Sequence, residues 1–163
     1  MSTTFTYTEA TPETLEQIWD RNIRNNPDEP AWIRWKKQFI DDNASGKAKT
    51  FMVLADGVPV GEGTLLFSQE CKAVIGRPLL ANETTTNINA LRIEKQYEGQ
   101  GHISKLVKLM EAYAKEHGYE RVTIGVEAQE TRNLAIYLHW GYQQFVMSEV
   151  EEDTLVLYYA KPL

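Results

Sequence analysis

Residues 91–104, Leu-Arg-Ile-Glu-Lys-Gln-Tyr-Glu-Gly-Gln-Gly-His-Ile-Ser, constrain the fold more than any other stretch of the chain. An apolar-rich run ends at Ile93, a polar segment holding Gly99 and Gly101 follows, and a long amphipathic repeat begins directly after it. A strand, a glycine loop and a helix in that order aim several backbone N–H groups and the positive end of a helix dipole at one point, which suits a phosphate or pyrophosphate. Glycines let the main chain approach such a group closely, because they carry no Cβ. Taken alone, the segment reads equally well as a plain strand-to-helix turn. A Rossmann dinucleotide loop is rejected. GQGHIS offers Gly-x-Gly-x-x-Ser, but an Asp56-Gly57 hairpin precedes it and no repeated βαβ unit surrounds it.

The rest of the chain alternates between the two hydrophobic periods. Phe5 to Thr8 is predicted as a short first strand. Thr11-Pro12-Glu13 supplies an N-cap, a first helical position and an acid in the first turn. Leu15, Ile18, Trp19 and Ile23 follow at helical spacing until Asn25-Asn26-Pro27 breaks the pattern. A second helix, starting near Asp28 to Pro30, carries Trp32, Trp35, Phe39 and Ile40 on one side and ends near Gly46. Strand-like runs at Thr50 to Ala55 and Val58 to Phe67 flank Asp56-Gly57, a strong hairpin signal. Residues 69–85 read as an extended hairpin or insertion turning around Gly76-Arg77-Pro78.

Asn87 to Glu94 is predicted as the strand entering the glycine loop. Gly101 to His117 is the helix leaving it, with Ile103, Leu106, Val107, Met110, Tyr113 and Ala114 as its core stripe and Gly118 as its stop. A strand at Val122 to Val126, a short helix at Thr131 to Trp140 stopped by Gly141, and strands at Tyr142 to Val150 and Leu155 to Ala160 complete the chain. The order is β-α-α-β-β-β-α-β-α-β-β, which describes one α/β domain over residues 1–163, a mixed sheet with helices on its faces.

Composition narrows the function classes. The net charge of −6 argues against nucleic acid as a partner, since phosphate backbones need clustered Lys and Arg. It leans towards cationic small molecules. One cysteine, Cys71, cannot form an internal disulfide and fits a reducing cytosol. The first residues have neither a basic region nor an apolar core, and no run approaches the length that spans a bilayer. The expectation is therefore a cytoplasmic protein with no membrane partner. His102, His117 and His139 lack metal-site spacing, so no metal is expected.

The second informative segment is Asn133-Leu-Ala-Ile-Tyr137-Leu-His-Trp-Gly141-Tyr142. Asn133 and Tyr137 are four apart, so on a helix their side chains share one face, one turn apart. Glycine loop with its helix, strand, and short helix bearing this pair follow one another in a way that resembles the GNAT superfamily of acyl-CoA-dependent N-acetyltransferases. The resemblance covers most of the chain and is strongest from Asn89 to Phe145. The family's loop, Arg/Gln-x-x-Gly-x-Gly/Ala, aligns with Glu98, Gly101 and Ile103, with Gly99 as an extra glycine. Glu98 and Ile103 depart from that pattern. The family's Tyr four residues before Gly-Phe is matched by Tyr137 before Gly141-Tyr142.

What the resemblance implies is a mostly antiparallel, twisted sheet of six to seven strands flanked by about four helices. It implies acetyl-CoA as co-substrate, held by Leu91, Arg92, Ile93, Glu98, Gly99, Gln100, Gly101, His102, Ile103, Ser104, Asn133 and Tyr137, largely through main-chain amides. The implied reaction is direct attack of a primary amine, from a small molecule, peptide or protein, on the thioester. A main-chain N–H near Ile93 meets the oxyanion, and Tyr137 protonates the leaving thiolate as general acid. Glu62, Glu94 and Glu127, or an ordered water chain, are the candidates for the base; the sequence does not choose among them, and Glu94 is taken as the working assignment. The first two helices are expected to roof the acceptor cleft, and a homodimer is a possibility. The other class kept open is a catalytically silent acyl-CoA-binding regulatory module. Each residue also has a plainer reading: Tyr137 as a core aromatic, Asn133 as a helix N-cap, Trp19, Trp32 and Trp35 as packing, His117 as a complement to a helix C-terminus, and Cys71 as an inert thiol.

Overall fold

The Thr11 side chain accepts the Thr14 N–H at 3.1 Å while Thr14 Oγ1 accepts the Thr11 N–H at 2.8 Å. This reciprocal cap, with Pro12 directly behind it, starts helix α1 (Pro12–Asn25) where the sequence places it. Helix α2 (Ala31–Ala44) follows the Pro30 break, and strands β2 (Ala48–Ala55) and β3 (Val58–Leu66) form the hairpin about Asp56-Gly57. Both turn residues have positive φ, 48° and 82°. That geometry suits the right-handed twist of the strands it joins.

The computed structural model describes residues 2–163. Strand β1 (Phe5–Glu9) precedes these elements. After them come β4 (Thr85–Ile93), a single 3-10 turn at Lys95–Tyr97, α3 (His102–Glu116), β5 (Arg121–Glu127), α4 (Thr131–His139), β6 (Gln144–Glu151) and β7 (Thr154–Pro162). The seven strands form one mixed sheet in the order β1-β2-β3-β4-β5-β7-β6. Strand β1 runs antiparallel to β2, β7 antiparallel to both β5 and β6, and β4 parallel to β5. The expected element order and mixed α/β class are therefore those observed.

Of the two readings of residues 69–85, an extended hairpin or an insertion turning around Gly76-Arg77-Pro78, residues 69–84 take the second. They form consecutive turns closed by Cys71 N–H to Ser68 O, Val74 N–H to Cys71 O, Arg77 N–H to Val74 O and Leu80 N–H to Arg77 O. The buried Cys71, Val74 and Leu80 recur at about the three-residue period of such turns, not the two-residue period of a strand.

The chain divides into two compact units, residues 1–65 with 90–112, and residues 66–89 with 113–163. In the first, strand alternation sorts the side chains. Met52 joins Leu15, Ile18 and Trp19 of α1, with Trp32, Phe39 and Ile40 of α2 packed alongside. Val53 points the other way, towards Gly61 and Ile93, on the face where Leu91 and Met110 of α3 approach Gly63. In the second, Asn87 and Thr123 face each other across the parallel pair, Asn87 Nδ2 donating to Thr123 Oγ1 at 2.9 Å.

Candidate active site

The glycine segment is built as its sequence suggests. Beyond the 3-10 turn, Gly99 and Gly101 have φ of 73° and 84°, and residues 98–101 are exposed. Only glycine adopts that left-handed backbone without steric cost, so the two residues can fold the loop into a concave row of amides just before α3. The Lys105 N–H already reaches Gly101 O at 3.2 Å, closing the first turn of the helix. The N–H groups of Gly101, His102, Ile103 and Ser104 are then those that a helix start leaves without intrahelical partners. Glu98 and Gln100 turn exposed side chains outward, and Gln100 Nε2 donates to Gln96 O at 3.3 Å.

The His102 side chain is buried at the start of α3. Its ring is 6 % exposed and lies against Phe5, with ring centroids 4.1 Å apart. Nδ1 is 2.7 Å from the Tyr7 hydroxyl and Nε2 is 3.3 Å from Gln100 Oε1. An amide oxygen only accepts, so Nε2 carries the proton and Nδ1 accepts from Tyr7. Burial, and then the nearby Lys105 ammonium, hold the ring's pKa below the ordinary histidine value. The ring thereby ties the start of α3 to β1. The ring packs among the aromatic side chains of Phe5, Tyr7 and Tyr97.

The end of β4 separates its side chains by face. Leu91 and Ile93 lie on the α3 side, beside Gly63 and Gly61. Arg92 points the opposite way, its guanidinium carbon 5.1 Å from the Trp19 ring centroid and 4.8 Å from that of Trp32. Its Nη2 donates to Glu62 Oε1 at 3.2 Å, and Asn22 Nδ2 donates to Glu62 Oε2 at 2.9 Å. Arg92 is thus available on the α3 face through its main chain alone. Glu94, one residue beyond the strand, pairs with Arg21, which also donates to Pro59 O at 2.6 Å.

Sequence reasoning missed Ala90. Its φ of 55° interrupts the extended run of β4, and the parallel register with β5 ends two residues earlier, at Ile88 and Ile124. An alanine there costs about 1–2 kcal/mol relative to ordinary backbone, and such strain gathers at functional sites. No turn residue marks the place, so nothing in the local sequence announces it.

In the second unit, helix α4 begins after Glu130, and Asn133 lies within it. Asn133 is exposed and its Nδ2 donates to Glu130 Oε2 at 2.9 Å, so it is not the N-cap. The helix ends in a left-handed stop at Gly141 (φ 102°), with Gly141 N–H on Leu138 O at 3.1 Å and Tyr142 N–H on Tyr137 O at 3.0 Å. Tyr142, wholly buried, anchors that stop. The carbonyl of Tyr137 is thereby locked, while its half-buried ring sits 5.7 Å from that of Trp140. Burial, and then the Glu130 carboxylate, raise the Tyr137 pKa above the usual tyrosine value. Glu127, the third carboxylate considered, accepts from Gln129 Nε2 at 3.1 Å. Among the described residues no group of three or more His, Cys, Asp or Glu is arranged to hold a metal, and no helix is long and apolar enough to cross a membrane.

The fourth strand of the mixed sheet leads through the glycine loop into α3, with backbone amides gathered at the helix start. The sequence matches the model of the Acetyltransferase (GNAT) family over residues 11–142, and the chain belongs to that family. Solved structures share its fold at low identity. An N-acetyltransferase from Staphylococcus aureus Mu50 superposes with a TM-score of 0.71 at 14% identity, covering 98% of both chains. The PaiA N-acetyltransferase from Thermoplasma acidophilum, solved in complex with coenzyme A, gives 0.65 at 14%, covering 98% of this chain and 99% of that one. RimL, a ribosomal L7/L12 alpha-N-protein acetyltransferase, gives 0.71 at 16%, covering 99% and 92%. No curated protein sequence matches the chain.

Proposed function

We propose that this protein is an N-acetyltransferase that transfers an acetyl group from acetyl-CoA to a primary amine in a ternary complex. The observation that carries the reading is the start of α3. Two exposed left-handed glycines precede four helix-start amides, within a segment the family model covers. Main-chain donors at a helix N-terminus suit a pyrophosphate whatever side chains flank them, so the departures at Glu98 and Ile103 leave the cradle in place. A relative of the same fold solved with coenzyme A supports the same ligand.

The acyl end follows from the strand. The Glu94 N–H is taken by Val60 O at 2.9 Å. Alternation along a strand then turns the Ile93 N–H away from β3, where it can donate to the oxyanion. A base removes a proton from the alkylammonium, the free amine attacks the thioester carbonyl carbon, the nitrogen of the adduct gives its surplus proton to solvent, and the oxyanion collapses with cleavage of the C–S bond. The thiolate leaves with the Tyr137 hydroxyl proton. A tyrosine whose pKa is raised by burial is fully protonated at neutral pH, as a donor must be. Glu94 is the base of choice among three. Glu62 is 1% exposed with both oxygens engaged, whereas Glu94 Oε2 meets only Gln96 Nε2, at 3.4 Å.

The test is release of free CoA thiol from acetyl-CoA across a panel of primary amines. Amine-dependent release supports transfer. Tight acetyl-CoA binding with no release from any amine would establish the silent-module reading instead, the one that Glu98 and Ile103 favour.

A further inference from the structure

We infer that the acceptor carries a carboxylate beside its amine, and that Arg92, lying over Trp19 and Trp32 and braced by Glu62, is the side chain that selects it. This rests on the acetyltransferase reading and specifies its substrate class. The Arg92 side chain leaves β4 on the face opposite Leu91 and Ile93, away from α3 and its amide cradle. It points instead to α1 and α2, so it serves something other than the CoA phosphates.

What this face presents is set by which group of the ion pair is reachable. Glu62 is closed: it is 1% exposed, with Oε1 on Arg92 Nη2 and Oε2 on Asn22 Nδ2. Arg92 is open: its side chain is 33% exposed, Nη2 is the nitrogen on Glu62, and its buried Nε has no hydrogen-bond partner among the described residues. Glu94 has Oε1 on Arg21, and its Oε2 is the oxygen left to take the amine proton. The pair is neutral overall, yet its exposed part belongs to the planar guanidinium, whose Nη donors are held in one orientation by two indoles and a carboxylate while Nε is buried. Such donors match a carboxylate. A single guanidinium that already shares its charge with Glu62 meets the one negative charge of a carboxylate at less cost than the two of a phosphate dianion, so a carboxylate is the favoured anion. The whole-chain charge of −6 pointed to cationic acceptors. The local arrangement points the other way, and over a few ångströms it outweighs a net charge screened across about 8–10 Å.

The experiment uses the full chain with saturating acetyl-CoA and matched pairs of acceptors: phenylalanine with phenethylamine, leucine with isopentylamine, and phosphoethanolamine as the phosphate arm. The wild type is expected to prefer each amino acid over its decarboxylated partner by about tenfold or more in kcat/KM, as a charge-assisted bidentate contact warrants. In Arg92→Gln that ratio is expected to fall to roughly one. A ratio does not depend on how much of the variant is folded, so partial instability leaves the outcome readable. A wild-type ratio at or below one, a ratio retained in Arg92→Gln, or a preference for phosphoethanolamine would overturn the inference. If no amine releases CoA, the acetyltransferase reading fails, and indole fluorescence decides the acceptor question separately. Titration with N-acetylphenylalanine should then perturb the tryptophan signal in the wild type and not in Arg92→Gln, while N-acetylphenethylamine perturbs neither. The absence of a carboxylate-dependent change would again overturn it.

Discussion

Gly125 on β5 lies opposite Tyr158 on β7, and the pair sets up a sharp test of the packing. A Cβ at Gly125 would sit 2.6 Å from Tyr158 Cε1 and 3.0 Å from Cδ1, inside the roughly 3.5–4.0 Å at which carbon atoms attract. The ring cannot step aside easily. Its hydroxyl donates to Glu151 Oε2 at 2.5 Å and accepts from Arg77 Nη1 at 2.8 Å, and Arg77 is itself held by Glu149 at 3.0 Å. Overpacking of this kind costs about 1–3 kcal/mol, and replacing a glycine returns roughly 0.4–1 kcal/mol by stiffening the unfolded chain. The net expectation for Gly125→Ala is a loss of about 1–2 kcal/mol, or about 2–8 °C in Tm for a chain of this size. Gly63→Ala is the internal comparison. Its Cβ would meet Leu91 Cδ1 at 2.8 Å and Met110 Sδ at 2.9 Å, the far ends of flexible side chains that can rotate away. Urea and thermal unfolding of both variants give the answer. A Gly125→Ala protein as stable as the wild type, or a Gly63→Ala protein that is the less stable of the two, would refute the reasoning.

Three further outcomes are expected. Tyr137→Phe should lower kcat by about a hundredfold, the lower range for a lost general acid, while acetyl-CoA binding measured by calorimetry stays nearly unchanged; equal losses in both would remove Tyr137 from the acid role. The folded His102 pKa is depressed, so the unfolded chain takes up that proton first; the stability from this group is complete above about pH 6.5 and is lost as pH falls through the folded value. Urea midpoints at pH 5 and 7.5 should therefore differ less in His102→Gln than in the wild type, and an unchanged difference would mean the imidazole does not titrate where its burial places it. Thr11→Ala removes one half of the reciprocal cap on α1 and should cost about 1 kcal/mol, read as a lower urea midpoint at constant slope; no shift would show that Pro12 alone starts the helix.

The legible parts of this chain were those in which one residue type has one physical use. Asp56-Gly57 demanded a tight hairpin, Gly118 and Gly141 stopped helices, and Thr11-Pro12 started one, and each is where the backbone requires it. Residues 69–84 stayed open between a hairpin and an insertion because their buried residues, Cys71, Val74, Leu80 and Ala81, follow neither a strand nor a helix period among turn formers. Ala90 was invisible because alanine carries no preference for the left-handed backbone it adopts, and only the surrounding strands hold it there.

By itself, the sequence determined the element order, the family and the glycine segment, since periodicity and backbone-special residues act over a few neighbours. Tertiary structure decided which way each side chain of that segment faces. It turned His102 inward onto Phe5 and Tyr7, and it closed Glu62 while leaving Arg92 open over two tryptophans. Those outcomes depend on partners at least 30 positions away in the chain, and no local pattern carries the information that brings such residues together.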